Sequence, residues 1–251
     1  MTLSSGPVVA VVSPADGSRL ASLSFGETEV LVTRSRSSLE WGCYPMVPYA
    51  GRVRDAMLRF DGRIHNLRPN GGRHSLHGTV FDVPWEAVDV STSSATFTTT
   101  LGDDWPFPAT VVHRVETDDH GVTLRLVVHA DEPQPVQVGW HPWFVKPTST
   151  TLGFTEVLAR DSDGIAVAPP VAAGEPPYDD CFIGNGTSPE IDVAGVSLHI
   201  SSDCSHWVVY DGPPHSTCIE PQSGPPNSVN DNPLVLPAGE IFSRWFRIER
   251  R

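Results

Sequence analysis

Three short islands hold the residue types that could move protons: His74-Ser75-Leu76-His77-Gly78, Gly139-Trp140-His141-Pro142-Trp143-Phe144 and Cys218-Ile219-Glu220-Pro221-Gln222. Two imidazoles and a carboxylate among aromatic side chains are what an enzyme needs to protonate one oxygen while deprotonating another near pH 7. The islands lie far apart in the chain, so they share a purpose only if the fold brings them together. On a strand, Val136, Val138 and Trp140 form an apolar row while Gln137, Gly139 and His141 form the opposite one. Pro142 biases His141 toward an extended backbone. Trp143 then shares the face of His141 as a flat apolar wall, suited to the C–H face of a sugar ring. The competing reading makes His141 a hydrogen-bonded core histidine and the tryptophans packing.

His74 and His77 follow Gly71-Gly72 and enter from a loop or the first residues of a strand. With His141 and Glu220 their spacing also permits a zinc or non-haem iron site. No H-E-x-x-H or His-x-His pair supports that reading, and the expectation is no metal and no cofactor. Glu220, between an apolar stretch and Pro221, reads as a carboxylate at the end of a strand whose partial shielding raises its pKa, as a general base near neutrality requires. A surface Glu in a Pro-rich turn is the alternative. No G-x-S-x-G elbow, activated cysteine motif, phosphate-binding G-x-x-x-x-G-K or G-x-G-x-x-G occurs, so proton transfer is favoured over covalent attack.

These residues need elements to hold them, and the chain reads as all-β. Its 24 prolines and 21 glycines in 251 residues leave little room for long helices. Val8 to Val12, Glu27 to Thr33, Ala95 to Leu101, Val122 to His129, Val196 to Ser201, Trp207 to Tyr210 and Phe242 to Ile248 carry β-branched, aromatic or alternating patterns. Turn chemistry separates them, as at Asp61-Gly62, Asp118-Asp119-His120-Gly121 and Pro237-Ala238-Gly239. The stretch from Pro169 to Pro177 reads as a long surface loop. The expected fold is a large antiparallel β-sandwich over residues 1–251 as a single domain.

Composition narrows the function. A formal net charge of −13 with one lysine, Lys146, excludes a nucleic-acid surface. No secretory signal and no long apolar span is visible, so a cytoplasmic protein without membrane contact is expected, a monomer or homodimer. Cys43, Cys181, Cys204 and Cys218 are scattered and read as reduced, buried thiols. Asn185-Gly186-Thr187 fits a glycosylation pattern but carries no weight without a secretory signal.

Taken as an ordered set, the islands resemble the aldose 1-epimerase (mutarotase) family, whose galactose-mutarotase-like fold is a large antiparallel β-sandwich. The resemblance runs from about Ser13 to Ile248. It passes through Gly17-Ser18-Arg19-Leu20-Ala21-Ser22-Leu23, Pro48-Tyr49-Ala50-Gly51-Arg52-Val53, Leu76-His77-Gly78, Gly139 to Phe144, Tyr178-Asp179-Asp180-Cys181-Phe182, Ile219 to Gln222 and Leu236-Pro237-Ala238-Gly239-Glu240. It implies Glu220 as general base on the anomeric hydroxyl, His141 as general acid on the ring oxygen and His77 as a second histidine near that oxygen. It further implies that Arg52 and Asp179 contact sugar hydroxyls, with Trp143 and Gln222 also lining the sugar. Asp180 takes the role of Asp179 if the register differs by one, and His74 matches no family role. Many members place Asn before the Arg where this chain has Gly51, and Tyr is common where it has Trp143; the chain is also shorter than the well-known galactose mutarotases. The resemblance leaves a free aldohexose or related sugar, a hexose 6-phosphate, or non-catalytic sugar binding as the functions to separate.

Overall fold

Extended, β-branched sequence broken by turns gives two large antiparallel sheets in the computed structural model, which describes residues 1–184 and 186–251. Asn185, and with it the glycosylation pattern it would head, lies outside the described residues. The larger sheet has eleven strands. Its central order is Arg19–Phe25, Cys43–Met46, Gly139–Val145, Ser216–Gln222, His206–Tyr210, Asp179–Ile183, Glu156–Arg160 and Ala166–Ala172. The second sheet has eight strands, with Ala109–Thr117, Gly121–Ala130 and Ile241–Arg250 at its middle. Among the described residues helix is confined to the short turns Pro14–Asp16, Arg54–Ala56 and Ser228–Asp231.

Alternation sorts the residues of the larger sheet onto two faces. One face packs on the second sheet: Trp140, Trp207, Val209 and Ile219 share a core with Leu124, Val128, Phe246 and Ile248. Trp140 and Phe246 meet at 5.8 Å between ring centroids. The Trp140 indole N–H donates to His113 Nε2 at 3.2 Å. His113 therefore carries its proton on Nδ1, which faces the Ser18 carbonyl at 3.1 Å. Burial pushes its pKa down to about 3, so it stays neutral. A hydrogen-bonded core histidine thus exists in this chain, and it is His113.

The strands anticipated from pattern recur with small changes of boundary. Glu27 to Thr33 is the exception, since only Thr28–Glu29 is strand. There Glu29 turns back on the chain, its carboxylate accepting the Leu23 and Leu31 N–H groups. The Pro169–Pro177 loop also needs correcting at its start: Pro169 and Pro170 lie inside the strand Ala166–Ala172. That strand closes the sheet, and its pairing with Glu156–Arg160 is irregular between Leu158 and Arg160, so the two prolines occupy an edge next to a bulge, where the missing N–H groups are tolerated.

Candidate functional site

The opposite face of the eleven-stranded sheet gathers the candidate site residues. Gly139 lies across from Gln222 and Trp143 across from Cys218, and the same register sets His141 opposite Glu220. His141 Nε2 is 3.2 Å from Glu220 Oε1, and both side chains are almost wholly buried. Between those paired positions stand Pro142 and Pro221, which lack N–H groups and leave the ladder without bonded pairs there. Gln222, two residues on and facing the same way, donates from Nε2 to Glu220 Oε2 at 3.2 Å. Glu220 therefore sits inside the central strand Ser216–Gln222 and not at a strand end or in a surface turn.

Two aromatic rings lie against His141. Tyr44, across from it on Cys43–Met46, stacks at 4.9 Å and 25°. Trp143, two residues along the same strand, lies nearly parallel to it at 5.3 Å and 12°. The rings open into a cavity of about 300 Å³, lined also by Arg52, His77, Arg160, Asp179, Asp180, Tyr210 and Gln222. Every residue anticipated for catalysis or sugar contact is thus brought to one cavity.

Two of them arrive on loops. Arg52–Val53 pairs with Ser75–Leu76, and the His77 N–H donates to the Gly51 carbonyl at 3.0 Å. Gly51 has φ +69°, and a Cβ there would meet Pro226 at 2.8 Å. Gly78 has φ +82°, with Val47 so close that a Cβ would lie 1.9 Å from its carbonyl oxygen. That close packing aims the His77 ring edge-on at His141, 4.9 Å away at 89°. His74 points elsewhere: its Nδ1 accepts the Asp55 N–H at 3.0 Å, fixing a residue with φ +55°. It is a structural residue and does not line the cavity.

Burial governs the proton inventory. It raises the Glu220 pKa well above the usual carboxylate value, with Asp179 adding to the effect and Gln222 and Arg52 opposing it. It lowers His141 well below the usual imidazole value, reinforced by His77 and Arg19. His77 is pushed down to about 3 by burial and then by Arg52. Asp179 is raised, first by burial, although Arg160 pairs with it and with Asp180. In the contact between His141 and Glu220, burial therefore favours the uncharged arrangement of carboxyl and imidazole. Of the two acids, Asp179 is the one whose charge acts on Glu220. The cavity also gathers buried polar atoms with no protein partner: His77 Nδ1, His141 Nδ1, Trp143 Nε1 and Gln222 Oε1.

His141, Cys218 and Glu220 offer ligand atoms within 4.8 Å of one another. The donor set does not suit a resident metal. His141 Nδ1 has no acceptor, whereas metal-bound imidazoles donate their second N–H. His74, a member of the ligand set considered from spacing, is engaged with Asp55.

Sequence reading missed Tyr44 and Arg160. Tyr44 carried a usable signal, since it alternates with Cys43 and Pro45 beside the aromatic Trp41. Arg160 carried none, because its place depends on Glu156–Arg160 lying next to Asp179–Ile183.

A model of the aldose 1-epimerase family matches residues 1–249. The chain belongs to the aldose 1-epimerase family. Over 122 residues it is 28% identical to the uncharacterized Escherichia coli K12 protein YphB, covering 47% of this chain and 42% of YphB. The match thus spans about two-fifths of that relative's length. Among solved structures, a candidate aldose 1-epimerase of Escherichia coli K12 superposes with TM-score 0.85 at 20% identity, covering 100% of this chain and 98% of the other. The GalM/aldose epimerase homologue of Caenorhabditis elegans gives 0.85 at 16% identity, covering 100% and 98%. Galactose 1-epimerase of Lactobacillus acidophilus NCFM gives 0.83 at 16%, covering 100% and 93%. At these identities the structural likeness establishes the galactose-mutarotase-like fold.

Proposed function

We propose that this aldose 1-epimerase family member interconverts the α and β anomers of a free aldohexose or a related monosaccharide. The observation that carries the reading is the buried His141–Glu220 pair, in hydrogen-bond contact at the floor of a cavity edged by unpartnered polar atoms. With the closed sugar bound, the shared proton resides on His141 and Glu220 is a carboxylate. Glu220 takes the proton of the anomeric hydroxyl. The electron pair left on that oxygen forms the carbonyl as the bond from C1 to the ring oxygen breaks, and the His141 imidazolium protonates the ring oxygen. The pair is then a neutral carboxyl and a neutral imidazole, the arrangement burial favours. Rotation about the C1–C2 bond presents the other carbonyl face, and closure with the roles reversed yields the other anomer.

His77, held neutral, supports the ring oxygen as its charge changes. Arg52 and Asp179 read hydroxyls, and Trp143 and Gln222 complete the wall around the sugar. A cavity of about 300 Å³ is at the small end for ligand sites and fits a single sugar ring. The guanidiniums of Arg52 and Arg160 share it with Asp179, Asp180 and Glu40, which leaves no positive excess for a phosphate and favours a free sugar over a hexose 6-phosphate. A non-catalytic sugar-binding role has no use for a proton-sharing pair. We read residues 1–251 as one catalytic domain working in the cytoplasm without metal or other cofactor.

The test follows optical rotation or anomer exchange by NMR with fresh α-glucose, α-galactose and glucose 6-phosphate. Acceleration over buffer with a free aldose is expected. No acceleration with any of several aldoses refutes the proposal.

A further inference from the structure

Against Tyr44, and outside the lining of the cavity, lies a charge that the acid–base scheme does not use. Arg19 is fully buried, with its guanidinium 4.7 Å from the Tyr44 ring centroid and 4.3 Å from Trp41. Among the described residues no carboxylate lies within ion-pair distance of it. Backbone carbonyls fix it instead: those of Trp41 and Ser38 on its terminal nitrogens, with longer contacts to Asp16 and Phe81 at 3.4 Å. Burial lowers its pKa to about 10, so it remains charged through neutral pH. A buried cation held only by carbonyls and rings is costly, and its retention in this position needs a reason.

Geometry supplies one. The Arg19 guanidinium lies over the Tyr44 ring at 4.7 Å, and that ring stacks on His141 at 4.9 Å and 25°. We propose that Arg19 is a positioning residue which, through Tyr44, orients the His141 imidazole and sets its acidity for delivering a proton to the sugar ring oxygen. The claim rests on the epimerase reading of the site and extends it to a residue outside the cavity.

The field at His141 has identifiable sources on every side. Glu220 and Cys218 face it from Ser216–Gln222, and His77 stands edge-on with Arg52 behind it. Tyr44 and Trp143 stack on it, Arg19 lies over the Tyr44 ring, and Asp179 acts on it indirectly through Glu220. Ring separations of 4.7 and 4.9 Å put the Arg19 charge within about 10 Å of the imidazole. Two unit charges about 10 Å apart, at an effective dielectric constant of about 20, perturb a titration by roughly one pH unit. A cation disfavours a second one nearby, so Arg19 makes the imidazolium the stronger acid.

The experiment compares pH–rate profiles of anomer exchange for the full chain, Arg19→Met, Arg19→Lys and Ser38→Asp. It is joined by NMR titration of the His141 imidazole in histidine-labelled protein. Arg19→Met should move the acid limb and the His141 titration upward by about one pH unit, and Arg19→Lys should move both back toward wild type. Ser38 is exposed and its carbonyl already receives Arg19, so Ser38→Asp sets a counter-charge beside the guanidinium without disturbing the core. It should shift the same two readouts in the same direction by less, which keeps the claim testable if Arg19→Met does not fold. Lost turnover with both readouts unmoved in the folded variants would reduce Arg19 to packing and overturn the inference. If the wild type accelerates no anomer exchange, the epimerase reading fails by itself, and the NMR titrations still decide whether Arg19 sets His141.

Discussion

Replacing Glu220 by Gln should separate the two jobs of that side chain, because its chemistry and its energetic cost respond differently. The amide keeps the shape of a protonated carboxyl beside His141 and Gln222 but can neither take nor give the proton. Turnover should fall by about 10²- to 10⁴-fold, the usual worth of a positioned acid–base group. Stability should respond to pH in the opposite sense. The folded-state pKa of Glu220 is raised by burial, so above the unfolded carboxylate value the folded chain keeps a proton that the unfolded chain has released. Wild-type stability therefore carries no penalty from this group below about pH 4.3 and loses about 1.4 kcal/mol per pH unit above it, until the folded pair lets its proton go. Glu220→Gln removes that slope and nothing else that titrates. Denaturant unfolding at pH 5 and pH 7 should show the variant gaining on wild type by up to roughly 3 kcal/mol over that interval. A difference between variant and wild type that stays constant from pH 5 to 7 would mean Glu220 is an ordinary ionised carboxylate, and the one-proton account of the pair would be wrong.

Three further outcomes can be checked directly. His141→Asn should lower turnover by about 10²- to 10⁴-fold in an optical-rotation assay while the circular dichroism spectrum is kept, since Asn cannot cycle a proton near neutral pH. His74→Ala should cost about 1 to 2 kcal/mol in denaturant unfolding by freeing the Asp55 N–H, with turnover changed only a few-fold because His74 does not line the cavity. Trp140→Ala, which empties the inter-sheet core and strips His113 Nε2 of its donor, should destabilise by about 3 to 5 kcal/mol.

The parts of this molecule legible in its sequence are those that depend on local alternation. The row of Val136, Val138 and Trp140 identified the core face, and the opposite row put His141 and Trp143 on one side. Ordered motifs then located Arg52, His77, Asp179, Glu220 and Gln222, all of which line the cavity. What stayed hidden depends on which strands become neighbours. Arg160 acquires meaning only when Asp179–Ile183 lies beside its strand, and Arg19 only when Cys43–Met46 carries Tyr44 over it. Prolines misled in the same way, since Pro169 and Pro170 read as loop until the strand holding them proves to be an edge. The choice between core and site histidine could not be settled from the His141 segment alone, because it turns on which face of the larger sheet packs on the second sheet, the sheet that holds the core histidine His113.

Because His141 and Glu220 are cross-strand partners, the sheet itself acts as the gauge between donor and acceptor. Their spacing is fixed by adjacent strands deep in the fabric of the protein, while the surroundings of the sugar come largely from the turns carrying Arg52, His77 and Gly164 and from the outlying strands carrying Arg160 and Asp179. On the proposed mechanism, exchanges at that periphery would alter which sugar is held and leave the gap between the two proton-transfer groups untouched.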